Sequence, residues 1–374
     1  MDSRLVEAIR RNDTTTMISL FQENEGIVEQ RTADAMDTAL HLASKFGHVE
    51  MVSEIVKLCP DMVATQNKML ETPIHEACRR GTAEVLKVLL DRADPTAKAA
   101  ACKLNSENMK SALFMACSDG HFDVVNLLLN HPTAAGWLLG LEETTCIHVA
   151  ASRGHMDVVR ELVNVCPDLV QKTDKNGNLA LHHACIEGHR DITRMLVRRN
   201  TSLGLQYNNN GYTPLHMASM NGKVSVLEEF VLMAPESFHY ATNEGETVFH
   251  LAVRYGKYQV LLFLLQACNG SNLIHLQDQY GNTILHLAVS GGRYQIAEYL
   301  INTTKVEINV RNCKGLTVLD ILDQAKYSAE NRYLEALFVK AGGRRSNDLL
   351  CHSPLERTND QLPIISKNSS WPVA

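Results

Sequence analysis

The sequence predicts an all-α repeat solenoid, and three observations predict it. The pattern Thr-x-x-His-x-Ala, with glycine six residues after the histidine, recurs in whole or in part at His41, His75, His148, His182, His216, His250 and His286, and once more with Phe114 in the histidine's place. The steps between these positions are 34, 39, 34, 34, 34, 34 and 36 residues. Two columns hold through all eight copies: alanine two residues after the histidine position, from Ala43 to Ala288, and glycine six after it, from Gly47 to Gly292. A short period with two fixed columns describes helix-turn-helix units that stack, each too small to bury its apolar face alone.

Each element of the unit follows from its residues. In the copy Gly211–Gly222, Thr213 followed by Pro214 starts a helix, because a hydroxyl can accept from the free N–H groups of the first turn and proline fits the first helical position. Thr38, Thr72, Ser111, Thr145, Thr247 and Thr283 are expected to cap in the same way, with Asn178 standing in where Leu179 cannot. The alanine faces the neighbouring helix, and the glycine permits the left-handed backbone that ends the first helix. Apolar pairs at spacings of three and four, such as Val124, Val125, Leu128 and Leu129, then predict a second helix. Turns such as Asn176-Gly177, Asn210-Gly211, Glu244-Gly245 and Tyr280-Gly281 project as β-turns before the next unit.

Along the chain, residues 1–35 read as a diverged N-terminal cap, with Leu5, Ala8 and Ile9 one period before the first full copy. Eight full repeats occupy 36–314, the long second step, 39 residues, being accounted for by an insertion from Thr96 to Met109. Residues 315–341 form a closing unit with Thr317 as cap, Asp320 at the histidine position, and a helix through Tyr327, Tyr333, Leu334 and Leu337. From 342 to 374 apolar periodicity stops, and a disordered tail is expected. It carries Ser353-Pro354, which reads as an unused linker dipeptide, and Cys351.

The formal net charge of -6 offers no general attraction to nucleic acid or to an anionic membrane surface. No run approaches the 20 or so apolar residues of a spanning helix, and the N-terminus carries no signal-peptide pattern, so a cytoplasmic chain without direct membrane insertion is expected. Of the ten cysteines, Cys78, Cys117 and Cys185 share one register of the repeat and Cys59, Cys166 and Cys268 another, and no two of the ten lie within four residues of each other. They read as reduced structural thiols rather than zinc ligands.

Sixteen histidines invite a catalytic reading, but seven are the repeat histidine and His48, His121, His155 and His189 share the position after the glycine. A side chain needed once per unit holds the unit together, through hydrogen bonds to the adjoining turn. No nucleophile elbow, phosphate loop, metalloprotease motif or paired-carboxylate pattern is present. The reading is therefore non-enzymatic, with no cofactor or metal; its rival is a metal-dependent hydrolase built on His182 and His183.

The pattern around His216 resembles the ankyrin repeat, over residues 1–341. More narrowly, Leu5-Val-Glu-Ala-Ile9, Cys-Pro-Asp at Cys59 and Cys166, His-x-Ala-Cys at Cys78 and Cys185, and Ala112-Leu-Phe-Met-Ala116 resemble the plant ankyrin-transmembrane family, which includes the accelerated-cell-death type defence regulators. Its members carry cytosolic ankyrin repeats followed by spanning helices with a Pro-Gly-Gly motif. The resemblance implies a protein-interaction scaffold in plant defence or stress signalling. Lacking the spanning helices and the motif, the chain is expected to be a splice form, a truncated form or a soluble relative. Alternatively it is the cytosolic regulatory part of a membrane-anchored protein, reaching the cytoplasmic face of the plasma membrane through a partner or in a full-length form.

Ankyrin stacks present turn tips and first-helix ends along a concave face. The residues expected to bind a protein partner there are Lys45, Phe46, Arg79, Arg80, Arg153, Tyr212, Met220, Arg254, Tyr255 and Tyr280. Aromatic, methionine and arginine side chains are enriched in interfaces. Arg79, Arg80 and Arg153 are expected to form a basic strip that steers an acidic segment.

Overall fold

A computed structural model of the protein describes residues 1–92, 111–131, 145–268, 272–324 and 329–350. The insertion from Thr96 to Met109, and Tyr327, Cys351 and Ser353, lie outside the described residues.

The fold is an all-helical repeat solenoid that divides into two compact units, Met1–Lys175 and Asn176–Ala374. In the first, the helices Ser3–Arg11, Ala39–Phe46, Pro73–Arg80, Ala112–Asp119 and Cys146–Arg153 pack each on the next. In the second, Ala180–Glu187, Pro214–Asn221, Val248–Arg254, Ile284–Ser290 and Val318–Gln324 do the same. Each is backed by the second helix of its own repeat, for example Val49–Leu58 or Val224–Met233. The invariant alanines explain the close stacking, since Ala43, Ala77, Ala116, Ala150, Ala184, Ala218, Ala252 and Ala288 are all 0% exposed. A leucine there would overfill the contact at a cost of about 1–3 kcal/mol. Proline ends the second helix at Cys59-Pro60, Cys166-Pro167 and Ala234-Pro235, and opens a short 3-10 turn.

The tips are type I turns closed by a left-handed residue, a three-residue hairpin geometry. Gly211 N–H donates to Asn208 O at 2.9 Å, and Asn208 N–H to Tyr212 O at 2.9 Å. Successive tips are tied by one backbone bond each: Lys68 N to Ala35 O, Asn209 N to Asn176 O, Gln279 N to Glu244 O and Cys313 N to Tyr280 O. Asn67, Asn208 and Asn312 brace them further. Each accepts two tip N–H groups on its Oδ1 and donates Nδ2 to the preceding tip, at Asp37, Asn178 and Asn282 respectively. At the copy without a capping hydroxyl the N-cap position is Leu179, which makes no side-chain cap bond, and the Asn178 oxygen accepts from Asn208 Nδ2 at 2.9 Å.

At the C-terminal end the ordered chain runs past the expected boundary. Arg345 is paired with Asp323 and Glu335, Asn309 bonds Gly342 O and Arg344 N, and Ser346–Leu350 is a helix. Polar anchors order residues 342–350, and an apolar-periodicity test cannot see such anchors. In the helix Ala329–Lys340 the buried side chains are Asn331, Leu334 and Phe338, whereas Tyr333 faces outward and donates to Glu298 at 2.5 Å.

Candidate functional site: first-helix ends and turn tips

The repeat histidines build the frame of this face. At His41, His148, His182, His216, His250 and His286, Nδ1 accepts the backbone N–H of the cap residue at 3.0–3.2 Å. An N–H facing Nδ1 forces the proton onto Nε2, which donates to a carbonyl of the adjoining turn: Glu71, Lys172, Tyr212, Tyr240, Asn282 and Leu316 in that order, at 2.9–3.2 Å. The threonine hydroxyl also turns to the ring, with Thr38, Thr72, Thr145, Thr213, Thr247 and Thr283 lying 2.7–3.0 Å from Nδ1. Its contact with a helical N–H is longer, 3.4 Å at Thr38 and Thr213. Burial holds His216 and His250 at a pKa of about 4, so these rings stay neutral as the pattern requires. Both nitrogens of His182 are engaged in this way, leaving no lone pair for the metal of the rival hydrolase.

A second row of histidines, noted in the sequence but given no role there, does related work. His48, His121 and His155 donate Nε2–H to Arg10 O, Arg79 O and Ser118 O, near the C-terminal end of the preceding first helix. In the second unit Arg293 takes that position and reaches Arg254 O at 3.3 Å. A cation or N–H donor there satisfies carbonyls that the helix leaves unpaired.

The ten expected binding residues fall five in each unit. In the first unit the basic strip does not form as a free positive surface. Arg79 is held by the buried carboxylates of Glu71 and Glu76, the latter at 2.6 Å, and Arg153 by Asp119 and Ser118 O, each at 3.1 Å. Burial pushes the Glu76 carboxyl up and Arg79 opposes it, so this guanidinium neutralises its own neighbourhood. Arg80 is exposed, Lys45 is half-buried, and Phe46 is 43% exposed with its ring stacked on His48 at 5.8 Å. In the second unit Arg254 pairs with buried Glu246 at 2.6 Å. Tyr212 is half-buried with its edge toward His216, Met220 is half-buried, and Tyr255 and Tyr280 stand 42% and 52% exposed.

The counter-ions were legible but unread. An acid four residues before the histidine with an arginine four after it occurs at Glu71/Arg79 and again at Glu246/Arg254. Also missed were Met36 and Leu70, which fill the left-handed tip position that is glycine at 177, 211, 245, 281 and 315. Both are exposed.

Comparison with known proteins agrees with this architecture. The family described as Ankyrin repeats (3 copies) matches residues 5–99, 98–164, 113–206, 147–237 and 200–274, and that described as Ankyrin repeats (many copies) matches 266–322. Protein ACCELERATED CELL DEATH 6 of Arabidopsis thaliana is 27% identical over 138 residues, 34% of this chain and 20% of that protein. A probable E3 ubiquitin-protein ligase, XBOS33, of Oryza sativa subsp. japonica is 29% identical over 127 residues, 34% of this chain and 23% of its own. The chain therefore spans less than a quarter of the length of these relatives. The crystal structure of the ankyrin repeat domain of Bcl-3 aligns with a TM-score of 0.47 at 22% identity, covering 57% of this chain and 92% of that one. Among the described residues no helix is long and apolar enough to cross a membrane. With family matches that together run from residue 5 to residue 322, the chain belongs to the ankyrin-repeat proteins.

Proposed function

We propose that this chain is a non-enzymatic adaptor that binds another protein along the concave side of its ankyrin repeats, in plant defence or stress signalling. The observation that carries the reading is the placement of Phe46, Tyr255 and Tyr280. These large side chains stand exposed at first-helix ends and a turn tip, on a frame whose histidines and threonines are already spent on holding the repeats. Exposed aromatics on a rigid frame lose little conformational freedom on binding, which favours them as anchors. The signalling context comes from the similarity to the Arabidopsis cell-death protein, and placement at the cytoplasmic face of a membrane, through a spanning relative, from the resemblance to the plant ankyrin-transmembrane family.

Proximity labelling in plant cells tests the reading. The wild-type chain and the variant Phe46→Ser, Tyr255→Ser, Tyr280→Ser are compared after circular dichroism has shown equal helix content. A set of proteins labelled by the wild type and lost with the variant is the expected result. Identical labelling by both would overturn the proposal.

A further inference from the structure

We infer that the surface around Tyr212, Tyr255 and Tyr280 takes a basic segment of the partner protein, a stretch bearing lysine or arginine. This rests on the reading that the face binds a protein, and it names the chemistry of what is bound.

The residues are gathered by the repeat frame. Gln279 N–H donates to Glu244 O at 2.9 Å, which sets the Tyr280 tip beside the Glu244 tip. On the other side, a side chain built on Gly211 would meet Asn243, so the Tyr212 tip lies against the same turn. Tyr255 ends the first helix of the middle repeat. Burial raises the Tyr212 phenol, and Tyr255, Glu246 and Glu244 raise it further, as groups that share one patch do.

The charge of this patch is in surplus. Glu246 is buried and paired with Arg254 at 2.6 Å. Glu244 is exposed at its tip. Asp278 is buried, and its carboxylate accepts Tyr280 N–H at 2.9 Å, Asn282 N–H at 2.8 Å and Asn282 Nδ2 at 3.1 Å. Three carboxylates thus stand against two guanidinium groups, that of Arg254 and that of Arg293, which lies beside Gly256 and reaches Arg254 O. The turn itself does not need the charge: neutral Asn67, Asn208 and Asn312 brace three other tips with the same pair of N–H bonds, and Thr242 braces a fourth. An aspartate where an amide braces the other turns adds negative potential, and its second oxygen accepts the Asn282 amide besides. Tyrosine faces attract cations, most strongly where the site is partly desolvated, and a negative patch steers and orients a positive partner. The two effects point to the same ligand.

The test pans a library of random linear dodecapeptides on the full chain and measures the selected peptides by fluorescence anisotropy. Selected sequences should be rich in lysine and arginine, and their affinity should fall as salt shortens the screening length to about 8 Å and below. Glu244→Lys with Tyr255→Ser should weaken binding at least about tenfold. Asp278→Asn keeps the two backbone N–H bonds of the turn while giving up the Asn282 amide contact, and should weaken binding roughly threefold, chiefly through the lost charge. Acidic or uncharged selected peptides would overturn the inference, as would basic ones indifferent to these substitutions. Peptides lost only with Phe46→Ser would overturn it while leaving the adaptor reading intact. A library that yields no binder would overturn it as well, and the labelling experiment would then judge the adaptor reading separately.

Discussion

Asp320 accepts the backbone N–H of Ser346 at 3.0 Å from the position that a histidine fills in seven earlier repeats. Its inner contacts copy the histidine: Asp320 Oδ2 accepts Thr317 N–H at 2.8 Å and the Thr317 hydroxyl at 2.9 Å, as Nδ1 does elsewhere. Its outer contact is reversed. The histidines donate outward to a carbonyl of the adjoining turn, whereas a carboxylate only accepts, and here it meets the N-terminus of the helix Ser346–Leu350. The substitution redirects the frame from another repeat to a capping helix.

Replacing Asp320 with histidine should therefore undo the cap. The Thr317 contacts would survive, but Nε2–H would face the Ser346 N–H, donor against donor. Trypsin cleavage after Arg344 and Arg345 is expected to accelerate severalfold in Asp320→His, and less in Asp320→Asn, which keeps one acceptor oxygen. Equal cleavage rates in all three chains would show that Arg345, through Asp323 and Glu335, holds the segment alone.

The neutral histidines make stability fall in acid. Burial depresses His216 and His250 from 6.5 to about 4, so between those values the unfolded chain binds protons that the folded chain refuses. A depressed folded value means a contribution fully present above pH 6.5 and lost as pH falls to about 4, by about 3 kcal/mol for each such ring. Urea midpoints measured from pH 7.5 down to 4.5 should drop, and His216→Gln should flatten the profile. A profile flat in the wild type would mean that folding leaves these rings at their unfolded value, with no depression by burial.

The stacking order could be read from the sequence because its causes repeat: the alanine column, the glycine column and the threonine-histidine pair impose the same local geometry at each step. The proposed adaptor surface was only half legible. Phe46, Tyr255 and Tyr280 could be placed by register alone, and they are exposed as register implies. The basic strip failed because whether an arginine is free depends on a counter-ion eight residues away, as at Arg79 and Glu71, or one repeat away, as at Arg153 and Asp119. The ordering of residues 342–350 escaped for a like reason: its anchors are single polar contacts with no period.

Met36 and Leu70 hold the left-handed conformation at φ 58 and 60 degrees, where five other tips use glycine. Their side chains are 42% and 47% exposed, so burial does not repay the strain in full. Met36→Gly and Leu70→Gly are each expected to leave stability unchanged or raise it by up to about 1 kcal/mol, the relieved strain offset by glycine's extra freedom when unfolded. Thermal midpoints check this. A loss of several degrees would show that these side chains pack against the tips more firmly than their exposure implies.

Gly81 and Gly315 separate the two demands a repeat makes on glycine. Both are left-handed, at φ 73 and 75 degrees, so alanine costs about 1 kcal/mol at either from backbone strain alone. A Cβ on Gly315 would meet nothing within 4 Å, whereas one on Gly81 would lie 2.4 Å from His121 Nδ1. To make room His121 must leave the position from which its Nε2 donates to Arg79 O at 3.0 Å, a hydrogen bond worth about 1 kcal/mol, and its packing goes with it. Gly315→Ala should therefore cost about 1 kcal/mol in urea unfolding and Gly81→Ala about 3 kcal/mol. The cause can be isolated in the background His121→Ala, where the ring is already gone. There Gly81→Ala should fall back to the roughly 1 kcal/mol of Gly315→Ala, because only the dihedral strain remains. If the cost in that background stays near 3 kcal/mol, the histidine is not what the glycine makes room for.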